Sequence, residues 1–175
     1  MPYLPMDGVE WVERYRPGGY HPLNIGDILN NRYHIVHKLG FGAYSTVWLA
    51  RDHSTEKYVA VKILVAGDGS QQSEKDILRS LSFRESPSEA SPRPDIYSLL
   101  DEFEVVGPNG THSCLVIPPA RMSVADAIDA SDNKPFQLPV ARAIAAQLIQ
   151  AVAFVHSKGI VHSGTSAIRI TFPST

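Results

Sequence analysis

Two glycines and a lysine are the residues of this sequence whose types and spacing could bind a phosphate. Gly40 and Gly42 lie in the segment Lys38–Ala50, and Lys62 follows within Tyr58–Leu64. Glycine lets the backbone adopt a positive φ and lie close to a bulky anion, which a Cβ would prevent. Backbone N–H groups turned toward that anion, together with one ammonium group, form a phosphate cradle. The pattern therefore predicts a nucleotide site.

The residues around the glycines predict the elements that position them. Tyr33–Leu39 and Ser45–Ala50 are rich in β-branched and aromatic residues, so they predict two strands that form a hairpin over the glycines. A dinucleotide-binding fold would instead need a helix after the glycine turn, and the β-branched segment disfavours it. A third predicted strand, Tyr58–Val65, places Ala60 and Lys62 on one face, since side chains alternate along a strand. That face leaves room for a flat ring near a cation, and the alternative is a solvent-facing lysine on an edge strand.

Glu74 lies in a segment with helical periodicity. Apolar residues recur at intervals of three to four over Ser70–Leu81, which predicts one short helix. A carboxylate on this helix can fix the flexible ammonium group of Lys62 while that group binds phosphate. The neighbouring Asp76 is the competing carboxylate, and either one could be a solvated surface residue.

The rest of the chain predicts an α+β order of elements. Tyr97–Val106 and Ser113–Ile117 have the composition of a fourth and a fifth strand, joined by a tight turn. Val140–Ser157 has a wide apolar face and predicts a long helix. Residues 1–27 are rich in proline, glycine and aromatic side chains, so we expect an ordered extension that docks on the neighbouring domain.

Composition limits the classes of function. The chain has 175 residues, of which 43% are hydrophobic and 19% are charged, with a formal net charge of -2. This balance is typical of soluble globular proteins and gives no electrostatic reason to expect nucleic acid or a membrane surface as a partner. The single cysteine, Cys114, suits a reducing compartment. We expect no secretory signal and no apolar run of membrane-spanning length, and therefore a cytoplasmic or nuclear protein.

The glycine hairpin, Val59–Lys62 and the helix at Ser73–Leu78 together resemble the small lobe of a eukaryotic protein kinase. More narrowly, the chain resembles the SR-protein kinase family, from about Tyr15 to His162. The segments that carry this resemblance are Gly18–Pro22, Ile25–Asp27, Asn31–His34, Lys38–Ala50, Leu99–Glu104 and Gly107–His112. The resemblance implies a protein-kinase-like small lobe, a five-stranded antiparallel sheet plus one helix, followed by the first helices of the large lobe. It also implies Mg-ATP as cofactor, since this family phosphorylates serines in Arg/Ser-rich splicing proteins.

The resemblance assigns cofactor-binding roles to seven residues. They are Leu39, Val47 and Ala60 around the adenine, Gly40 and Gly42 over the phosphates, and Lys62, paired with Glu74, beside the α- and β-phosphates. Ile117 would occupy the gatekeeper position. The hinge would be Pro118–Ala120, which departs from the family because proline lacks an N–H that could bind adenine.

The resemblance stops where catalysis would begin. The family has an aspartate two residues after the histidine that corresponds to His162, and this chain has Gly164 there. No Asp or Glu follows Asp132, so the sequence predicts neither a catalytic base nor carboxylates for the expected magnesium. The predicted organisation is an extension at 1–27, a small lobe at 28–117, a hinge at 118–122, and an incomplete large lobe at 123–175 with an atypical tail from about 164.

Three hypotheses follow. The first is an ATP-binding serine/threonine kinase domain, truncated and without phosphotransfer. The second is a non-catalytic, pseudokinase-like module that binds a nucleotide, or a protein partner through an exposed helix face around Ile144, Leu148, Val152 and Val155. The third is a truncated product without function. Small-molecule kinases of the aminoglycoside type share the small lobe, but the match at residues 18–50 argues against them.

Overall fold

A computed structural model describes residues 9–67, 70–82, 99–120, 122–123, 128–129, 136–161 and 169–170. The chain divides into two compact units. The first comprises Met1–Asp76 and Leu99–Pro119, and the second comprises Ile77–Ser98 and Ala120–Thr175.

The first unit is built on an antiparallel sheet of six strands. They are β1 (Ile28–Leu29), β2 (Tyr33–Gly42), β3 (Ser45–Asp52), β4 (Lys57–Leu64), β5 (Asp101–Gly107) and β6 (Gly110–Ile117). Their order in the sheet is β1-β2-β3-β4-β6-β5. The five predicted strands are all present in one antiparallel sheet, which has six strands rather than the predicted five. The sixth, β1, turns back onto β2 through Asn30 and Asn31, both at positive φ, and two residues are too few to give a periodic signal.

One face of the sheet carries the hydrophobic core. Trp48, Val61 and Val116 lie opposite one another on β3, β4 and β6, and each is at most 5% exposed. Cys114 belongs to the same core and is fully buried, so burial raises the pKa of its thiol to about 12. The other core members are Leu29, Tyr33, Ile35, Ala50, Val59 and Ile63.

A charged cluster ties three strands together at one end of the sheet. Arg32 donates two hydrogen bonds to Asp52, at 2.7 and 2.8 Å, and a third to Asp101 at 3.2 Å. The hydroxyl of Tyr33 donates to the same Asp101 at 2.6 Å. Two fixed donors from one guanidinium match a carboxylate geometrically, so this cluster sets the ends of β2, β3 and β5 relative to one another.

Besides a short 3-10 helix at Val12–Arg14, the described structure has two long helices. Helix α1 spans Ser70–Ser82, close to the predicted range. Helix α2, in the second unit, spans Leu138–Ser157; it has proline in its first turn and is followed by Gly159 at positive φ. Both residues suit those positions, because proline fits a first helical turn and glycine accepts the left-handed conformation that ends a helix. In the same unit, β7 (Met122–Ser123) pairs with β8 (Arg169–Ile170).

Helix α2 differs from expectation in one respect. We expected no apolar run of membrane-spanning length, but α2 has 20 residues and a window with mean hydropathy 1.6, which is long and apolar enough. None of its residues is buried. Length and composition alone do not separate a spanning helix from the core helix of a soluble domain.

Candidate functional site

The glycine-rich segment forms a hairpin, as predicted. Strands β2 and β3 pair from Tyr33–Asp52 to Gly42–Ser45, and Ala43 and Tyr44 make the turn. The register shifts between Lys38 and Gly40, so Leu39 is the extra residue of a β-bulge. A bulge re-aims a side chain locally, which separates Leu39 from the regular alternation of its strand.

The reason given for the glycines from sequence is wrong in one part. Neither Gly40 nor Gly42 adopts a positive φ, because strand pairing continues to Gly42 and requires an extended backbone. The other part of that reason was close approach of a bulky anion to the backbone. The open space at Gly42 agrees with it, since a Cβ placed there would meet nothing within 4 Å. A bulky group could approach the backbone from that side.

A row of residues crosses the sheet at the level of the lysine. Gly40 lies opposite Val47, Val47 opposite Lys62, and Lys62 opposite Leu115. Directly opposite residues of an antiparallel pair point to the same face of the sheet. Val47 and Lys62 are therefore neighbours on one face, although fifteen positions separate them in the sequence.

A second row lies two residues away from the first on each strand. Leu49 is opposite Ala60, and Ala60 is opposite Ile117. A spacing of two residues keeps side chains on the same face, so these residues join Val47 and Lys62. We call the sheet surface formed by Val47, Leu49, Ala60, Lys62 and Ile117 the site face. The opposite face of β4 carries Val59, Val61 and Ile63 in the core, which confirms the predicted alternation.

Helix α1 contains Glu74, but the side chain of Glu74 lies outside the described residues. Its pairing with Lys62 remains a prediction. The next residue, Lys75, forms an ion pair with Glu102 of β5 at 3.6 Å. Glu102 lies opposite Leu115, in the same row as Lys62. Sequence analysis missed this pair, since nothing local connects a residue of α1 to one of β5.

Tyr20 is a second contact that sequence analysis did not assign. Its hydroxyl donates a hydrogen bond of 2.6 Å to the carbonyl oxygen of Gly42. The aromatic and glycine content of residues 1–27 predicted that this segment docks on a neighbouring domain. The partner atom within the glycine-rich hairpin had no sequence signal.

The described residues offer few charged groups that could hold a cofactor or a metal. Lys62 offers a cation and Gly42 an open backbone surface. Within the described ranges, no group of three or more His, Cys, Asp or Glu side chains could hold a metal. Pro118 and Pro119 follow β6 without regular structure and lack N–H groups, as the sequence requires. Gly164 lies outside the described residues.

Comparison with known proteins identifies the family. The family model of the protein kinase domain matches residues 33–164. The serine/threonine-protein kinase spk-1 of Caenorhabditis briggsae is 37% identical over 151 residues, 85% of this chain and 13% of that protein. SRSF protein kinase 3 of Homo sapiens is 34% identical over 85% of this chain and 27% of its own length. The chain thus spans a minor part of these relatives.

A solved structure shows the same fold. The crystal structure of a kinase domain aligns with 79% of this chain and 39% of its own chain, at a TM-score of 0.64 and 20% sequence identity.

Proposed function

Because the chain belongs to the protein kinase family, we propose that it binds ATP on its site face and does not by itself transfer phosphate. It carries a serine/threonine kinase domain of the SR-protein kinase type. The observation that supports nucleotide binding is the row that sets Gly40, Val47 and Lys62 side by side on three neighbouring strands.

The site face offers complementary surfaces to the two halves of ATP. Half-buried Val47 and Ala60, which is 2% exposed, have the apolar side chains on this face that suit the flat face of adenine, and Leu39 lies at the bulge of β2. Lys62 is half-buried, and an ammonium group with reduced access to water attracts phosphate more strongly than an exposed one. The open backbone at Gly42 gives the phosphates room. In this proposal Gly40 and Gly42 cover the phosphates and Glu74 steadies Lys62.

The proposed absence of phosphotransfer rests on residue types. A kinase needs a carboxylate that accepts or orients the proton of the substrate hydroxyl, and others that hold magnesium. The kinase match ends at residue 164, where this chain has glycine. Residues 133–175 contain no Asp or Glu, so this stretch supplies neither group.

A titration and an activity assay test the two parts of the proposal. The 175-residue chain is titrated with ATP, once with magnesium and once with EDTA, and the heat of binding is measured. We expect saturable binding below millimolar ATP in both conditions. We also expect no transfer of radiolabelled phosphate to an Arg/Ser-repeat peptide. No binding at millimolar ATP would contradict the nucleotide site, whereas transfer that Lys62→Ala abolishes would contradict the inactivity.

A second candidate function is that of a protein-binding module. Helix α2 has an apolar stripe of half-buried side chains, and no residue of the helix is fully buried. The stripe consists of Ile144, Leu148, Val152 and Val155. Such a stripe on a globular helix normally packs against another surface. We expect Leu148→Glu to abolish self-association in sedimentation velocity, and Ala146→Glu, an exposed control, to leave it unchanged. A monodisperse wild-type chain would count against self-association through this stripe. The cytoplasmic or nuclear location stays a prediction.

A further inference from the structure

The segment Glu10–His21, which we call the N-terminal strap, is fixed to the first unit by its backbone. The N–H of Gly18 donates to the carbonyl of Asn109 at 2.9 Å. The carbonyl of Gly19 accepts from the N–H of Ala66 at 3.0 Å. These bonds join the strap to the β5–β6 turn and to the residue that follows β4, so the strap is part of the folded unit.

Two side chains of the strap contact the turn between Gly42 and Ser45, which joins β2 to β3 and which we call the glycine-rich turn. Tyr20 donates its hydroxyl hydrogen to the carbonyl oxygen of Gly42 at 2.6 Å. Arg14 donates from Nη1 to the carbonyl oxygen of Ala43 at 2.8 Å. Both acceptors are main-chain oxygens of consecutive peptide units, so the strap contacts the turn through its backbone.

These bonds set the direction of two main-chain donors. In a planar trans peptide the carbonyl and the following N–H point in opposite directions. Since the Gly42 carbonyl points toward Tyr20, the N–H of Ala43 points away from it. By the same geometry, the Ala43 carbonyl bonded to Arg14 turns the N–H of Tyr44 away. Outward-pointing N–H groups at such a turn are the donors that a phosphate cradle uses.

Apart from the strap bonds, little side-chain packing holds the turn. Tyr44 is 71% exposed and Phe41 is 42% exposed. A Cβ at Gly42 would meet nothing within 4 Å, so no neighbouring group confines the backbone on that side. The carbonyl of Tyr44 accepts one further bond, from the N–H of Val65. Beyond the ladder pair Gly42–Ser45 that closes the hairpin, the strap therefore supplies the side-chain hydrogen bonds that orient the Gly42–Ala43 and Ala43–Tyr44 peptide units.

The ring of Tyr20 is itself fixed in place. Tyr20 is 2% exposed, and its ring packs edge-on against the ring of Tyr15 at 5.5 Å between centroids. The hydroxyl of Tyr15 and the ammonium group of Lys38 both donate to the buried carboxylate of Glu10. This pair of bonds links the strap to β2, the strand that carries the glycines. A donor held by such contacts restrains its acceptor as well.

We propose that Arg14 and Tyr20 are positioning residues, which hold the Gly42–Ala43 and Ala43–Tyr44 peptide units so that their N–H groups face a bound phosphate chain. The part concerning phosphate rests on the proposed nucleotide binding. The part concerning the turn stands on the hydrogen bonds alone. The strap then acts before the nucleotide arrives, because it removes the cost of ordering the turn on binding.

Two conservative variants with matched controls test this inference in the full chain. Tyr20→Phe and Arg14→Met each remove a donor and keep most of the side chain. Tyr33→Phe removes a buried hydroxyl bonded to Asp101 elsewhere in the same sheet, and Arg16→Met changes a second arginine of the strap. For each variant we measure amide order parameters by ¹⁵N relaxation without nucleotide, the dissociation constant of ATP, and the melting temperature.

The expected result is local. In Tyr20→Phe and Arg14→Met, the order parameters of Ala43 and Tyr44 fall from about 0.85 toward about 0.6, and both controls keep the wild-type values. The dissociation constant of ATP rises about three- to tenfold, as expected for one lost hydrogen bond. Tyr33→Phe lowers the melting temperature at least as much but leaves ATP affinity unchanged.

A separate experimental result would contradict each part of the proposal. Unchanged order parameters at Ala43 and Tyr44 in both strap variants would overturn the positioning role, whatever the ATP affinity. Order parameters that fall without any change in ATP affinity would overturn the link to phosphate. If the wild-type chain binds no ATP, the proposed function fails, and the relaxation data still decide whether the strap positions the turn.

Discussion

Val47 lies directly opposite Lys62 in the antiparallel ladder between β3 and β4. Side chains in this relationship have Cβ atoms about 4.5–5.5 Å apart and share one face of the sheet. Strand pairing alone thus brings Val47 and the ammonium-bearing Lys62 of the proposed site together.

The first prediction concerns the ammonium group of that pair. We expect Lys62→Ala to raise the dissociation constant of ATP by about 10- to 100-fold, because a hydrogen bond to a charged phosphate is lost. Lys57→Ala, at the exposed start of the same strand, should leave the constant unchanged. Isothermal titration at constant ionic strength measures both. Equal affinities of the wild type and Lys62→Ala would show that the lysine does not contact the nucleotide.

The second prediction concerns acid stability. Asp52 accepts two hydrogen bonds from Arg32, one from the N–H of Ser54 and one from the hydroxyl of Thr55. These donors, Arg32 above all, hold the pKa of the Asp52 carboxyl well below its usual range.

Because the unfolded chain binds this proton near pH 4, the stability from Asp52 is present above that pH and is lost as the pH falls further. We expect Asp52→Asn to lower the urea midpoint at pH 7, with a smaller difference from wild type near pH 3. Glu104→Gln, which removes an exposed carboxylate of β5, is the control. A constant difference at all pH values would contradict the assignment.

The third prediction concerns a buried pair of imidazoles. The rings of His21 and His112 pack edge to face at 4.9 Å between centroids, and both residues are at most 7% exposed. Burial is the main cause that lowers the pKa of His21; His112 lowers it further, and Asp27 opposes them. As the pH falls, the unfolded chain therefore binds a proton at the His21 imidazole near pH 6.5, whereas the folded chain binds it only at a lower pH.

Stability should accordingly fall as the pH drops below about 6.5, until the folded imidazole is protonated as well. We expect His21→Phe to flatten this part of the profile in urea unfolding between pH 8 and pH 5. His53→Phe, from a second imidazole pair with an exposed member, serves as control. A profile that His21→Phe leaves unaltered would contradict the prediction.

The fourth prediction concerns the glycine that faces His21. A Cβ at Gly107 would lie 2.5 Å from two atoms of the His21 ring. We expect Gly107→Ala to lower the free energy of unfolding by about 1–3 kcal/mol, the usual cost of overpacking. In a His21→Ala background the same change should cost clearly less, and a double-mutant cycle measures the difference. Equal costs in both backgrounds would place the strain elsewhere.

The sequence by itself determined the parts of this protein that depend on local patterns. Alternation of apolar and polar residues located the five main strands and placed Ala60 and Lys62 on the face opposite Val59, Val61 and Ile63. The helical spacing of apolar residues located both α1 and α2. The kinase resemblance was readable because it rests on short motifs, and the family match confirms it. The absence of the catalytic aspartate at Gly164 stays a prediction.

Only the tertiary structure decided how remote segments meet. The bulge at Leu39, the extended backbone of Gly40 and Gly42, and the edge strand β1 depend on strand register rather than on residue type. The contacts Tyr20–Gly42 and His21–His112 join positions far apart in the chain, and neither member of a pair signals the other. Local periodicity fixes which face a side chain occupies, whereas packing of the whole sheet decides what it touches.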